Sequence, residues 1–550
     1  EPLLSGPDQA LWLERLEQEH NNLRLALLWS HRSKRYHLAM QIAAALAWFW
    51  YIHGYYSEGR QKLQLVLSQP VEDLEPGLRS RALYGLGSLT FAQGDYTAAR
   101  RNFEEGLQIA YEAGDLYGQM ICLSGLGDVT TYNGEFEAAT DFYQQSLDLA
   151  ERLEHPLGKV RALIGLGHTS VDHGRYNRAR EFFERSLTAV ENSGDLRHIS
   201  RALNGLGYIA SDQGDFLTAQ SHFQRSLDIA IEIGDRGRMG VTLGNLGAVA
   251  SDLSDYTTAR SYYERSLAIS EEIGDTSVAG IALANLSETE ICLGNFAAAK
   301  AYNERARALA EKTGERRLYA ITTYVTGEID YYLGSYDSAR RCIEQSVENA
   351  TEFRDMRVLC IALSGLGQVV LCQGDPAGAR DLQLRSLAIA HEIGESRMSA
   401  IAQAGLGEAA LQAGDFDSAR TYLQSSLKEA RAISEKRQVG IVLNLLAVVD
   451  MLQGDYAAAR TNLVESLNTS SQVGDRPTGA SALSNMAALE VEVGAARRAA
   501  RLWGAAQAQR AEMGCAVAPA DRERFESSME RARQQLGEEV YLSEVETGGK

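Results

Sequence analysis

The 550-residue chain is poor in proline, in cysteine and in long apolar runs. With 8 prolines and 45% hydrophobic residues it can bury a large apolar core. Its 6 cysteines have no C-x-x-C spacing, which excludes a zinc knuckle or a disulfide framework and predicts reduced, buried thiols. No apolar run approaches the roughly 20 residues that span a bilayer, and no signal peptide precedes the first charged residues. We therefore expect a soluble, cytoplasmic protein with no membrane partner.

Basic residues are also in short supply. The chain has 54 Lys and Arg against 73 Asp and Glu, which gives a net charge of -19. Binding to nucleic acid or to an anionic membrane needs clustered basic side chains, so this balance argues against both partners. It favours a basic or polar partner instead.

What the chain has in abundance is internal repetition. Rows of 40 residues beginning at Arg81 align without a gap, as in "RALYGLGSLTFAQGDYTAAR", "RALIGLGHTSVDHGRYNRAR" and "RALNGLGYIASDQGDFLTAQ". Rows 41–80 and 481–520 are degraded versions, as is typical of terminal repeats with one solvent-facing side. The period predicts a repeat array rather than several separate domains.

Each row divides into two helices. In the row beginning at Arg201, apolar or small residues recur at helical spacing, and Gly214 with Asp215 then ends one helix and caps the next. Gly234 and Asp235 end the second helix in the same way. The row also carries a glycine inside its first helix, at a cost of about 1 kcal/mol relative to alanine. A close approach between helices would explain it.

This pattern resembles the tetratricopeptide repeat, although its period is 40 residues and the usual proline between repeats is missing. In the row from Arg81 the matching positions are Leu86, Gly87, Gly94, Tyr96, Ala99, Phe103 and Gly106. The resemblance implies an all-α, right-handed α-solenoid of tetratricopeptide-like helix pairs. We expect a helical lead-in over residues 1–40, the repeat array over 41–500 and C-terminal capping helices with a tail over 501–550.

The flanks of the array, "LWLERLEQEHNNLRLALLWS" and "RRAARLWGAAQAQRAEMGCAVAPADRERF", resemble the sensor half of bacterial STAND signalling ATPases, including LuxR-type and MalT-like regulators. That resemblance implies an upstream nucleotide-binding domain in a longer parent protein and a sensor role for the repeats. The absence of an initiating methionine also predicts an excised piece. The segment has no G-x-x-x-x-G-K-[ST] motif and no basic helix-turn-helix, so we expect no ATP binding, no cofactor, no enzymatic activity and no direct nucleic-acid contact.

Other motifs have simpler interpretations. The Gly-Leu-Gly strings lie mid-helix, which argues against a dinucleotide site, and His168 and His173 are poorly spaced for a shared metal ion. Recurring arginines in the second helices favour salt bridges between helices or a solvated face over an anion ladder. These arginines are Arg100, Arg180, Arg260, Arg340, Arg380, Arg420 and Arg460.

Functional residues should lie where the repeats differ, in the columns that resemble the ligand-facing stripe of the first helices. The candidate ligand-binding residues are Tyr84, Asp128, Tyr132, His168, Asp172, Asn204, Tyr208, Asp212, Asp252, Glu288, Tyr324, Glu328 and Tyr332. Their carboxylates and tyrosines predict an acidic groove for a protein, peptide or small-molecule inducer. Three alternatives remain open: a solvated helical face, a constitutive scaffold without a ligand switch, and an enzyme.

Overall fold

The computed structural model describes residues 4, 6–69, 75–172, 175–191 and 194–550, and these residues form 27 α-helices and no β-strand. The helices before the middle of the chain are α1 Gln9–Arg32, α2 Tyr36–Ile52, α3 Tyr56–Leu67, α4 Pro76–Ala92, α5 Tyr96–Ala113, α6 Leu116–Tyr132, α7 Phe136–Arg152, α8 Pro156–Asp172, α9 Tyr176–Glu191, α10 Leu196–Asp212, α11 Phe216–Glu232, α12 Arg236–Asp252 and α13 Tyr256–Ile273. They are followed by α14 Thr276–Cys292, α15 Phe296–Thr313, α16 Arg316–Tyr332, α17 Tyr336–Glu352, α18 Met356–Cys372, α19 Pro376–Ile393, α20 Ser396–Gln412, α21 Phe416–Ala432, α22 Lys436–Leu452, α23 Tyr456–Val473, α24 Arg476–Glu492, α25 Ala496–Met513, α26 Pro519–Leu536 and α27 Glu538–Gly549. The predicted all-α fold of helix pairs with a 40-residue period is confirmed. From α4 to α24 the even-numbered helices are the first helices of each pair.

The Gly-Asp pairs end and cap the helices as predicted. Gly214 adopts a left-handed φ of 78° after α10, a conformation that costs a glycine little. The Asp215 carboxylate then accepts a hydrogen bond of 3.2 Å from the backbone N–H of Thr218 at the start of α11. At the next turn Asp235 accepts from the backbone N–H of Arg238 at 2.9 Å. The turn chemistry of each repeat is therefore local.

The two glycines of Gly-Leu-Gly hold an aromatic ring between neighbouring repeats. Phe183 on α9 is fully buried, and a Cβ atom added at Gly167 on α8 would lie 2.7 Å from its ring. A Cβ at Gly205 on α10, in the following repeat, would also collide with this ring. The same arrangement surrounds Phe103 and Tyr143. The glycines are therefore required by close packing, and the close-approach prediction is confirmed with the aromatic side chain as its cause.

The recurring residues of the second helices also have structural roles. Their alanines are at most 1% exposed, from Ala99 through Ala459. Arginines of the same helices reach the next repeat: Arg100 pairs with Glu135 at 2.7 Å, and Arg460 pairs with the buried Glu490 at 2.7 Å. The structural interpretation of this arginine column is therefore confirmed at these positions.

The chain divides into two compact units. Unit 1 comprises Glu1–Val249 and Ser261–Ala282, and unit 2 comprises Ala250–Arg260 and Leu283–Lys550. The core of unit 1 includes Phe49, Trp50 and Tyr56 near its beginning, and helices α25 to α27 pack together within unit 2. None of the helices among the described residues is long and apolar enough to cross a membrane. The predicted boundaries at residues 40 and 500 stay predictions.

Candidate ligand-binding surfaces

Within each unit, first helices from distant repeats meet through the stripe that carries the candidate residues. In unit 1 the Tyr132 hydroxyl on α6 lies 3.0 Å from the Ser277 hydroxyl on α14. In unit 2 the Arg437 guanidinium on α22 donates a 3.0 Å hydrogen bond to the Tyr332 hydroxyl on α16. The stripe of each unit is therefore an inner surface, at which side chains from separate repeats converge.

Three of the predicted carboxylates of unit 2 share this inner surface. Asp252 at the end of α12, Glu288 on α14 and Glu328 on α16 come from three successive first helices. Arg397 on α20 lies 3.6 Å from Asp252 and 3.9 Å from Glu288, and its Nε atom lies 3.0 Å from Glu435. One arginine thus contacts carboxylates on three other segments.

Two of these carboxylates have raised pKa values, and burial is the main cause. Burial raises the pKa of Asp252 to about 7, although Arg397 opposes the rise. Burial and the neighbouring Glu288 carboxylate raise the pKa of Glu328 to about 7 as well. Ionisation of both carboxylates therefore costs more free energy in this structure than it does in water.

Two predicted tyrosines frame the carboxylates. Tyr332 stacks on Phe296 with ring centroids 5.2 Å apart, and its hydroxyl accepts the hydrogen bond from Arg437. Tyr324 is half-buried and packs against the backbone position of Gly365 in the next repeat. For unit 2, the five predicted residues Asp252, Glu288, Tyr324, Glu328 and Tyr332 thus lie on the inner surface with the arginines.

The predicted residues of unit 1 contact other side chains of the same unit. Asp128 accepts a 2.7 Å hydrogen bond from the Tyr143 hydroxyl and one of 3.2 Å from Arg161. Tyr84 lies under the Arg161 guanidinium, 4.9 Å from the ring centroid. His168 meets the edge of Phe183 at 5.1 Å, and burial together with nearby arginines lowers its pKa to about 3. His168 is therefore neutral at physiological pH.

Asn204 is a buried link between repeats rather than an open contact. It is 4% exposed, its amide donates to the Thr242 hydroxyl at 3.2 Å, and its carbonyl accepts from Asn245 at 3.1 Å. Tyr132 is likewise engaged, because its ring stacks on Tyr96 at 4.1 Å. Both side chains fasten neighbouring repeats together.

The last three candidates of unit 1 lie toward the end of first helices. Tyr208 packs against the apolar cluster around Ile209, and Asp212 is half-buried in the last turn of α10. The side chain of Asp172, like all of His173, lies outside the described residues. The candidate stripe of unit 1 is thus mainly packed, with Asp128 and Tyr84 tied to an arginine.

Sequence reasoning missed four arginines on the inner surface of unit 1: Arg161, Arg197, Arg201 and Arg238. The sequence spacing could have indicated one of them. Arg161 precedes His168 by seven residues and so lies on the same helical stripe, two turns earlier. The candidate columns began one turn too late to include it. The sequence analysis did not anticipate that arginines would lie among the predicted carboxylates of unit 1, and the acidic groove stays a prediction for this part of the chain.

Family models of the tetratricopeptide repeat match residues 78–152, 119–192, 198–272, 277–352, 358–432 and 404–467. These matches cover more than half of the chain. The chain belongs to the tetratricopeptide repeat family. This helical repeat is suited to binding proteins and peptides, and the first-helix stripe of the two units is where its variable residues lie. No curated protein matches the chain.

Three solved structures are similar to the chain. A Rap protein complexed with Competence and Sporulation Factor is 14% identical with a TM-score of 0.51, over 64% of this chain and 98% of the Rap chain. A STAND protein with a tetratricopeptide repeat sensor from Pyrococcus horikoshii is 15% identical with a TM-score of 0.42, over 72% of this chain and 68% of that one. Aspartyl phosphate phosphatase F from Bacillus subtilis is 13% identical with a TM-score of 0.43, over 66% of this chain and 95% of the phosphatase chain. At these identities the similarity of the Rap protein establishes the fold alone.

Proposed function

We propose that the inner surface of unit 2 binds a basic segment of a protein or peptide, and that the module acts as the sensor arm of a STAND-type signalling ATPase. The observation that carries the binding proposal is the convergence of Asp252, Glu288 and Glu328 from three first helices. Their charge is only partly offset by Arg397. A ligand with lysine or arginine side chains would supply the missing positive charge.

The tyrosines add contact area of the kind that recognition surfaces use. Tyr324 and Tyr332 are large, have few rotatable bonds and carry a hydroxyl, so they lose little conformational entropy on binding. The Rap protein that shares the fold is complexed with a factor, which is consistent with ligand binding on this type of scaffold. The flanking sequences that resemble STAND sensors support the sensor role.

A basic ligand would compete with bonds that hold unit 2 together. Arg397 on α20 contacts Asp252 and Glu288, and Arg437 on α22 contacts Tyr332. A ligand lysine that pairs with Asp252 or Glu288 weakens their attraction for Arg397. Binding would then favour an arrangement in which these repeats lie further apart, which is the differential affinity that a population shift requires.

Binding can be tested by the fluorescence anisotropy of labelled hexalysine and hexaglutamate peptides. We expect hexalysine to bind, and the Glu288→Gln/Glu328→Gln variant to bind it at least tenfold more weakly, since each charge contributes about 0.7 kcal/mol or more. The control is Glu348→Gln/Glu352→Gln, two exposed carboxylates on the outer helix α17 with the same change in net charge. Equal weakening in both variants would show that only the overall charge attracts the peptide.

The sensor role needs a separate measurement in the full-length parent protein. If the repeats are coupled to an ATPase domain, affinity for the bound segment should differ between the ADP and ATP states. Equal affinity in every nucleotide state, or a parent protein without an upstream Walker motif, would instead establish a constitutive interaction scaffold.

A further inference from the structure

Four arginines converge on the inner surface of unit 1, in a chain whose net charge is -19. Arg161 lies on α8, Arg197 and Arg201 lie on α10, and Arg238 lies on α12. Arg161 and Arg201 occupy the same position in successive rows. Burial lowers the pKa values of Arg161 and Arg238, and the charges of Arg201 and Arg197 lower them further. Three successive first helices therefore present guanidinium groups to one place.

Two of these arginines are held in position by aromatic rings and carboxylates. The Arg197 guanidinium lies 4.3 Å above the Trp48 ring, and its Nε atom donates to Asp235 at 2.7 Å. Arg161 lies over Tyr84 and donates to Asp128. A ring under the face of a guanidinium leaves its N–H edge free to donate, so both groups are oriented before any ligand arrives.

The other two arginines, Arg201 and Arg238, form no side-chain ion pair with any residue that the structure describes. Both side chains are half-buried, and the Nε atom of each is buried without a hydrogen-bond acceptor. The Nε atom of Arg161 and the Nη1 atom of Arg197 also lack an acceptor among the described residues. Buried donors without acceptors are costly, so a ligand that supplied acceptor oxygens here would gain binding free energy.

The charge balance indicates what would complete the site. Among the described residues, four guanidinium groups face three carboxylates: Asp128 and Asp235, which contact them, and Asp195, whose charge acts on Arg197. One positive charge is left in excess, and His168 adds none because it is neutral. The hydrogen bonds between Asp195 and His198 leave the negative charge of Asp195 in place.

The repeat itself does not require Arg161 and Arg201, whereas the pair of Arg197 with Asp235 recurs in later rows, for example as Arg317 with Asp355. Arg161 and Arg201 occupy the first position of their rows, and that position holds valine or isoleucine in each of the six rows beginning at 241, 281, 321, 361, 401 and 441. A residue that only built the helix pair would recur along the whole array. Among the rows from residue 81 onward, arginine at this position is instead confined to unit 1, at Arg81, Arg161 and Arg201.

We propose that Arg161, Arg197, Arg201 and Arg238 form a binding site for a phosphate-bearing small molecule. A phosphate monoester carries a charge of about -1.5 to -2 at neutral pH, which is enough to offset the positive charge left in excess. Its oxygens can accept hydrogen bonds from guanidinium groups on three different helices, whereas a carboxylate offers only two oxygens. This proposal is independent of the peptide surface proposed for unit 2.

The test is isothermal titration of the full 550-residue chain with pyrophosphate at constant ionic strength in chloride. We expect the wild type to bind pyrophosphate and Arg201→Gln/Arg238→Gln to bind it at least tenfold more weakly. This variant removes the two arginines that form no ion pair, so Asp128 and Asp235 keep their arginine partners. The control is Arg101→Gln/Arg225→Gln, two exposed arginines of unit 1 with the same change in net charge. The control should bind as the wild type does.

Three results would overturn the proposal: no binding of pyrophosphate by the wild type, equal loss in the control, or binding of hexaglutamate without binding of pyrophosphate. The last would assign the arginines to an acidic peptide. A second readout is thermal stability in phosphate-free buffer. Pyrophosphate should raise the melting midpoint of the wild type and should leave that of Arg201→Gln unchanged. An equal rise in both proteins would contradict a role for Arg201 in binding.

Discussion

The Gly-Leu-Gly packing can be tested by adding a single methyl group at Gly167. The Cβ of Gly167→Ala would lie 2.7 Å from the Phe183 ring, well inside the 3.4 Å at which ordinary contact begins. The ring cannot retreat freely, because Phe183 is fully buried and Gly205 of the next repeat also lies against it. The substitution therefore forces a shift of α8, of α9 or of the ring.

The expected magnitude is a balance of two effects. Alanine gains about 1 kcal/mol over glycine inside a helix. Overpacking a filled core costs about 1 to 3 kcal/mol, and here the clash involves a ring with a second helix behind it, so we place the cost at the upper end. The net result is a loss of about 1 to 2 kcal/mol, equivalent to a few degrees in the melting midpoint of a unit of this size.

Gly244→Ala provides the matched control. Gly244 also lies mid-helix, on α12, but the nearest atom to its added Cβ is the Ser266 hydroxyl at 3.7 Å. We expect this variant to gain about 0.5 to 1 kcal/mol from helix propensity alone. Urea unfolding followed by circular dichroism measures both variants. The opposite signs at two helical glycines separate packing from propensity.

A double variant locates the clash. Phe183→Leu shortens the side chain, so Gly167→Ala should cost less in the Phe183→Leu background than in the wild type. A coupling energy near zero, or stabilisation by Gly167→Ala alone, would refute packing against the aromatic ring as the reason for the repeated glycines.

Three further outcomes are expected from the geometry. Burial raises the pKa of Glu328 from 4.5 to about 7, so folding stability is lost as pH rises between these values. Glu328→Gln should change the free energy of unfolding little at pH 4 and raise it at pH 8 by about 1 to 2 kcal/mol after solvent screening, as measured by urea unfolding. Asp215→Ala should lower the free energy of unfolding in urea by removing the cap of α11, and Asp215→Asn should restore most of the loss. Arg397→Gln should raise the pKa of Asp252, which carbon-detected NMR titration can follow; an unchanged pKa would show that their contact is not maintained in solution.

Much of the fold could be read from local patterns. Gly214 and Asp215 specify the end of one helix and the start of the next through contacts within a few residues, and Gly167 indicates a close approach before any partner is known. Only the placement of the helices showed that Gly167 packs against the ring of Phe183. The same ring also contacts Gly205 of the next repeat.

The sequence predicted the positions of the candidate residues along the first helices better than it predicted the charge of the surface. Glu288 and Glu328 lie on the inner surface of unit 2 where the stripe predicted them. Arg161 was missed because the candidate columns stopped one turn short of it. Asn204, predicted to face a ligand, is instead a buried bond between helices. Positions that vary between repeats thus indicate the inner surface. They do not indicate which side chains there are accessible to a ligand and which are packed against other helices.

The sequence by itself determined the period, the helices, their caps and the membership of the repeat family, because these depend on residues a few positions apart. Only the tertiary structure decided that Arg397 meets Asp252 and Glu288, or that Arg197 lies over Trp48. The physical reason is that small rotations between neighbouring helix pairs add up over several repeats. Those rotations depend on how individual side chains pack, and their sum determines which distant first helices face each other and what charge they present.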